Sequence, residues 1–224
     1  MQVSHAIRER RSVRAFLPKA IPVEMVRQIL SLAKWAPSWG NTQDWNAHVI
    51  DGVALQRLKA ALTQLAEEGA PNFTDLPMPS QSWPAYLAAR MEARQGAPEA
   101  GDFAGGGPAV FDLYGAPTLV VFAIDADLEP AYACFDTGLL VQTFCLVAED
   151  LGYATCITAA AVRYADVLHE LIPQADGQRF VVGVAMGLVD HTAVVNRGER
   201  RRVDLGEWAS FSTDAFGDSA ESED

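Results

Sequence analysis

The chain has 224 residues, half of them hydrophobic, with 10 Phe, 5 Trp and 5 Tyr, and a formal net charge of -12. That length and composition suffice for a sizeable core in one large domain or two small ones. The acidity excludes a general nucleic-acid or anionic-membrane partner, because the far field repels polyanions.

Against that background, Arg10-Arg11-Ser12-Val13-Arg14-Ala15-Phe16 is a local exception. It follows a short helix expected over Val3 to Glu9. In an extended segment, side chains at i, i+2 and i+4 share one face, which predicts Arg10, Ser12 and Arg14 on one side with Val13 and Arg11 on the other. Guanidinium forks suit phosphate oxygens. Locally, a phosphate anchor and a solvated basic segment are equally good readings.

Pro22 suits the first turn of a helix with Glu24 close behind, and Val26, Ile29, Leu30 and Ala33 carry its apolar face up to Pro37. Ala36-Pro37-Ser38-Trp39-Gly40-Asn41-Thr42-Gln43-Asp44-Trp45 is a loop by composition. It sets hydroxyls, an amide and backbone donors beside two indoles, a mixture that suits a planar ligand with polar edges or, alternatively, plugs a core. Asn46–Ile50 reads as a strand and Val53–Glu68 as an amphipathic helix. Residues 69–108, punctuated by Pro and Gly, read as an excursion that covers a site, with one helix over Pro84–Gln95.

Ala116–Asp125 is a near-continuous apolar run, the pattern of a strand buried on both faces. Tyr132–Leu151 is a helix apolar nearly all round, capped by Gly152. Within it Gln142 is either a ligand contact or a satisfied core amide. Thr155–Ala161 is a strand or turn of small residues that permits close backbone approach to a ligand. Tyr164–Ile172 is a helix and Phe180–Gly187 a second buried strand. Asn196–Arg202 is a second basic cluster, and residues 211–224 read as a disordered acidic tail. Cys134, Cys145 and Cys156 read as buried free thiols. With no signal peptide and no apolar run judged long enough to span a bilayer, they point to a cytoplasmic protein. Scattered histidines give no metal site. GxGxxG, P-loop, HExxH and GxSxG motifs are absent.

Four blocks in order resemble the FMN-dependent nitroreductase family: residues 10–16; residues 36–43; Leu151-Gly152 with Thr155–Ala160; and Gly183–Asp190 followed by Arg200-Arg201-Arg202. The resemblance spans residues 1–210, one FMN-binding domain with the 69–108 excursion as a lid. Gly115-Ala116-Pro117 and Pro84/Tyr86 are similar to the branch acting on nitroaromatic compounds. The resemblance implies an α+β fold, a central mixed sheet flanked by helices, in an intertwined homodimer with FMN at the interface. It implies that Arg10, Arg11, Ser12 and Arg14 meet the phosphate, ribityl or pyrimidine side, that Arg200 and Arg202 join at the phosphate, and that Gln142 also contacts the cofactor. Pro37, Ser38, Trp39 and Asn41 would come from the partner chain. The backbone of Thr158, Ala159 and Ala160 would face the reactive flavin edge. It further implies a ping-pong cycle with NADH or NADPH as donor and a small aromatic molecule as acceptor, with no catalytic side chain. The chain departs from the family pattern at Ala109, Val110 and Phe111, where a polar residue is usual, at Asp44 in place of Pro, and at Trp39 in place of a small residue. Alternatives are the same flavin chemistry on quinones or enones, or a non-catalytic anion-binding module.

Overall fold

The computed structural model describes residues 2–77, 83–95, 108–198 and 200–212. Its helices are α1 (Val3–Glu9), α2 (Val23–Ala33), α3 (Gly52–Glu67), α4 (Ala85–Gln95), α5 (Pro108–Phe111), α6 (Pro130–Asp150) and α7 (Ala165–Leu171). The strands are β1 (Phe16–Leu17), β2 (Trp45–Asp51), β3 (Thr118–Asp125), β4 (Ala154–Thr158) and β5 (Gln178–Val189). The sheet runs β1-β5-β3-β2, with β4 also pairing β5. Its ladders are antiparallel, and a parallel bridge, Ser12 to Thr155, joins the Arg-bearing segment to β4.

Alternation along β3 explains the layers. Leu119, Val121 and Ala123 enter one core cluster with Leu55, Leu58 and Leu62 of α3 and Leu168 of α7. Val120 and Phe122 enter the other, with Val26 and Ile29 of α2 and Leu140, Phe144 and Ala148 of α6. A strand covered on both faces needs apolar residues at every position, and every β3 residue before Asp125 is buried.

The expected elements form with small shifts at their ends, while β1 has no forerunner in the sequence reading. Two residues are too short for a periodic signal; pairing of Phe16 with Val189 and Leu17 with Leu188 creates the strand. Gly152 ends α6 with φ +83°, its N–H donating to Glu149 O while Tyr153 N–H donates to Ala148 O, the arrangement of a Schellman stop.

Two expectations about α6 are corrected. At 21 residues it is long and apolar enough to cross a membrane, and 44% of its most apolar stretch is buried in the fold. The buried side forms the core layer just described, so it packs as a core helix. It is also not buried all round: Tyr132 (68% exposed) and Phe135 (63%) lie on an open face, as does Gln142. Gln142 is therefore not a core amide.

Within the excursion, α4 forms as expected, and its Arg90 pairs with Glu207 at 2.9 Å. Residues 78–82, 96–107 and 213–224 lie outside the described residues, and with them parts of the expected lid and most of the acidic tail.

Candidate active site

The Arg-bearing segment leaves α1 and runs beside β4. Val13 N–H donates to Thr155 O at 3.0 Å, which seats Val13 in the core at 3% exposure. The residues on either side are only half-buried. The alternation read from the sequence thus holds for Ser12 and Val13, because one face of an extended chain must enter the core.

The second basic cluster returns to the same place. Asn196 is buried. Its Oδ1 accepts from Arg14 N at 2.9 Å, while its Nδ2 donates to Ala15 O at 2.8 Å and Asp190 O at 2.9 Å. Arg200 donates to the carbonyls of Arg8 and Arg10, which are orphan acceptors at the end of α1. Arg11 donates to Gly198 O. Arg202 is exposed and donates to Arg201 O at 2.8 Å; Arg200 is the member of the pair tied to the first cluster.

The electrostatics follow. Burial, then the neighbouring charge of Arg200, holds the Arg11 pKa below its ordinary value, with Arg14 adding to the effect and Glu9 and Glu149 opposing it. Burial, then Glu9, raises the Glu149 pKa, against Arg10, Arg200 and Arg11. Arg10, Arg11, Arg14 and Arg200 thus gather beside Glu9 and Glu149. The hydrogen bonds of Arg200 and Arg11 go to neutral carbonyls and leave their positive charges in place. A phosphate dianion fits such a set.

Beyond β4, Thr158 is buried and the chain turns through Ala159–Val162. Glycine makes this approach to β5 possible. A Cβ on Gly183 would lie 2.4 Å from Ala161 Cβ and 3.1 Å from Leu119 Cδ1. The turn therefore sits tight on the sheet, with Ala159 exposed and Ala160 half-buried at the surface beyond the Arg segment.

Tyr114 was not singled out by sequence reasoning. It sits in a turn where Leu113 and Tyr114 both have positive φ (53° and 61°). Its phenol contacts the side chains of Thr158 and Cys156 and lies in the field of Arg14; burial, the largest effect, raises its pKa. The turn is braced by buried Lys59, whose Nζ donates to Ala116 O at 2.8 Å and lies 3.6 Å from Asp112. A Tyr directly ahead of the Gly115-Ala116-Pro117 turn was the available signal. Asn196 and Asp136 were also missed; neither carried one.

The loop with Pro37, Ser38, Trp39 and Asn41 is anchored elsewhere, on α6. Trp39 N–H donates to buried Asp136 Oδ2 at 2.7 Å, and the Trp39 ring meets Tyr132 edge-on at 5.8 Å. Ser38 Oγ accepts from Gln43 N at 2.9 Å. Gly40, Asn41 and Gln43 all have positive φ, so the loop turns sharply with Trp39 55% exposed. The expected site residues thus fall into two groups on one chain: the Arg segment, Arg200 and Thr158–Ala160 around β4, and the 37–41 loop with Gln142 along the open side of α6.

Fold and site together define a class, and comparison with known proteins agrees. The nitroreductase family model matches residues 7–188. A 4-nitrobenzoate reductase from Pseudomonas putida is 32% identical over 203 residues, 85% of this chain and 86% of that protein. A chloronitrobenzene nitroreductase from Comamonas testosteroni is 32% identical over 93% of this chain and 96% of its own length. Among solved structures, the FMN-dependent nitroreductase NfnB from Mycobacterium smegmatis, in complex with NADPH, is 31% identical with a TM-score of 0.81, covering 94% of this chain and 97% of that one. The chain belongs to the nitroreductase family.

Proposed function

We infer that the protein is an FMN-dependent oxidoreductase that uses NADH or NADPH to reduce nitroaromatic compounds. The relatives reported above are named for 4-nitrobenzoate and chloronitrobenzene reduction, and the NfnB structure is described as FMN-dependent and in complex with NADPH. The observation that carries the reading is the gathering of Arg10, Arg11, Arg14 and Arg200 where the basic segment bridges to β4.

In this reading Arg10, Arg11, Ser12, Arg14, Arg200 and Arg202 hold the phosphate and ribityl end of FMN. The backbone of Thr158, Ala159 and Ala160 borders the ring edge, Arg14 sets positive charge near it, and Tyr114 closes the floor with a neutral phenol. When bound, FMN supplies two-electron transfer at its N5, from the nicotinamide donor in one half-cycle and to the acceptor in the other. The chain's own part is to bind, orient and neutralise charge, and this chemistry requires no nucleophile–base pair.

The site is completed by a second copy of the chain. The open α6 face with Tyr132, Phe135 and Gln142, next to Trp39, supports this, as do the exposed Leu205, Trp208 and Phe211 of the C-terminal segment. Large apolar side chains gathered on an open surface mark an interface. Pro37, Ser38, Trp39, Asn41 and Gln142 then contribute across the dimer, and residues 1–210 act as one FMN-binding domain with the excursion at its mouth.

The test is the visible spectrum of the purified protein. Oxidised-flavin bands that bleach on adding NADH or NADPH and return with a nitroarene are expected. A colourless protein that neither takes up FMN nor oxidises either donor overturns the reading.

A further inference from the structure

A second feature lies on the α3 side of the sheet, one turn beyond Ala160. A cavity of about 370 Å³ opens between α3 and the segment after it, lined by Thr63, Glu67, Asn72, Phe111, Arg163 and Tyr164, among others. That size falls at the lower end of small-molecule pockets, about 300–1,000 Å³.

Arg163 is its unusual member. The residue is half-buried, and its Nε is buried with no hydrogen-bond partner among the described residues. Its guanidinium lies 5.3 Å from the centroid of the Phe111 ring, which stacks obliquely on Tyr164 at 6.2 Å. The ring contact satisfies a face of the guanidinium and none of its N–H donors. A buried charged donor without an acceptor is costly and calls for one.

The walls are preformed. Arg163 N–H donates to Ala160 O at 3.3 Å, Phe73 N–H donates to Arg163 O at 3.0 Å, and Ala165 N–H donates to Phe73 O at 2.8 Å. The chain on both sides of the guanidinium is thus tied down from the turn and from the segment after α3.

We propose that this cavity binds an aromatic carboxylate of benzoate size, its carboxylate paired with Arg163 and its ring against Phe111 and Tyr164. A carboxylate accepts two parallel bonds from a guanidinium fork, and the two rings supply the apolar walls that a bare inorganic anion would not use. Thr63 and Asn72 add neutral polar groups at the opening. Glu67 is exposed and is the acidic liner; it opposes a second carboxylate and sets a limit on affinity. The proposal adds a ligand site to the flavin reading, and its test needs no turnover.

Benzoate binding to the FMN-loaded protein is measured by calorimetry, with benzamide as the neutral isostere. Benzoate is expected to bind more tightly than benzamide. Arg163→Gln is expected to weaken benzoate by about 10- to 100-fold, the worth of a charged hydrogen bond, and to leave benzamide unchanged. Glu67→Gln is expected to strengthen benzoate. Should Arg163→Gln not fold, Arg163→Lys serves in its place, keeping the charge while losing the fork and part of the affinity. Equal binding of benzoate and benzamide, or benzoate affinity unmoved in the Arg163 variant, overturns the proposal. Inhibition of nitroarene reduction then identifies the source of the ligand: a competitive pattern marks the acceptor itself, a non-competitive one a separate regulator, and either supports the site. An absent flavin spectrum alongside intact benzoate binding would sink the functional reading and leave this one standing.

Discussion

Asn196 clamps Arg14 from the side chain outward: its amide oxygen takes the Arg14 N–H at 2.9 Å while its amide nitrogen reaches the next carbonyl, Ala15 O, at 2.8 Å. One buried amide thereby ties the C-terminal segment to the basic segment. Replacing it with Ala takes the partner from Arg14 N–H and from Asp190 O, while Ala15 O keeps the N–H of Asp190 at 3.1 Å. Asn196→Ala is expected to lower stability by about 1–3 kcal/mol, read by urea unfolding, and to weaken FMN retention on gel filtration. Wild-type values in both would show that the clamp is incidental.

Arg200 caps α1 through the carbonyls of Arg8 and Arg10, and in the proposed reading it adds charge where the FMN phosphate binds. Removing the guanidinium affects both roles. Arg200→Ala is expected to weaken FMN binding about tenfold, of the order of one charged hydrogen bond, with a shallower salt dependence than wild type. Fluorescence titration of the apoprotein with FMN at two ionic strengths checks this; an unchanged dissociation constant would count against Arg200 at the phosphate.

Close packing makes two glycines irreplaceable. A Cβ at Gly183 meets Ala161 at 2.4 Å, and one at Gly187 meets Phe16 Cδ1 at 2.8 Å and Pro117 Cδ at 2.9 Å. Each Ala substitution forces a backbone shift, at about 1–3 kcal/mol for an overpacked core. Gly183→Ala also displaces the turn at Ala159–Val162, so it is expected to reduce turnover more than Gly187→Ala at matched stability. Unfolding curves and steady-state rates for the two variants make the comparison.

Cys145 is buried on the core face of α6, and desolvation raises its thiol to about 11. The folded pKa lies above the ordinary 9.0, so the folded state holds the proton more tightly than the unfolded state. Its contribution to stability is complete below pH 9 and is lost as the pH rises through about 11. Cys145→Ala is expected to flatten that alkaline decline. Native protein at pH 8 should leave Cys145 unmodified by a thiol reagent, while Cys134, half-buried, reacts first; rapid labelling of Cys145 on peptide mapping would contradict the packing.

Long periodic or wholly apolar stretches were legible in the sequence because burial imposes a pattern on every residue in them. Ala116–Asp125 became β3 and Val53–Glu68 became α3 within a residue or two of the expected bounds. The site was legible only in part. The Arg run announced positive charge, yet Ser12, Arg14 and Arg200 acquire neighbours through contacts more than 140 residues apart in the chain. Asn196 stood at the edge of a basic cluster, and Asp136 lay within an apolar helix with no pattern to mark it.

By its order of residue types alone, this chain determined its longer strands and helices, its net negative charge and the two arginine-bearing segments, because each depends on local periodicity or on composition. Only the tertiary structure decided that Asn196 and Arg200 would seat one segment on the other, that Gln142 would face outward with Tyr132 and Phe135, and that half-buried Arg163 would lie beside Phe111 with its Nε enclosed. Those outcomes depend on which surfaces meet across the sheet, and a sequence pattern carries no distance between residues that are remote along the chain.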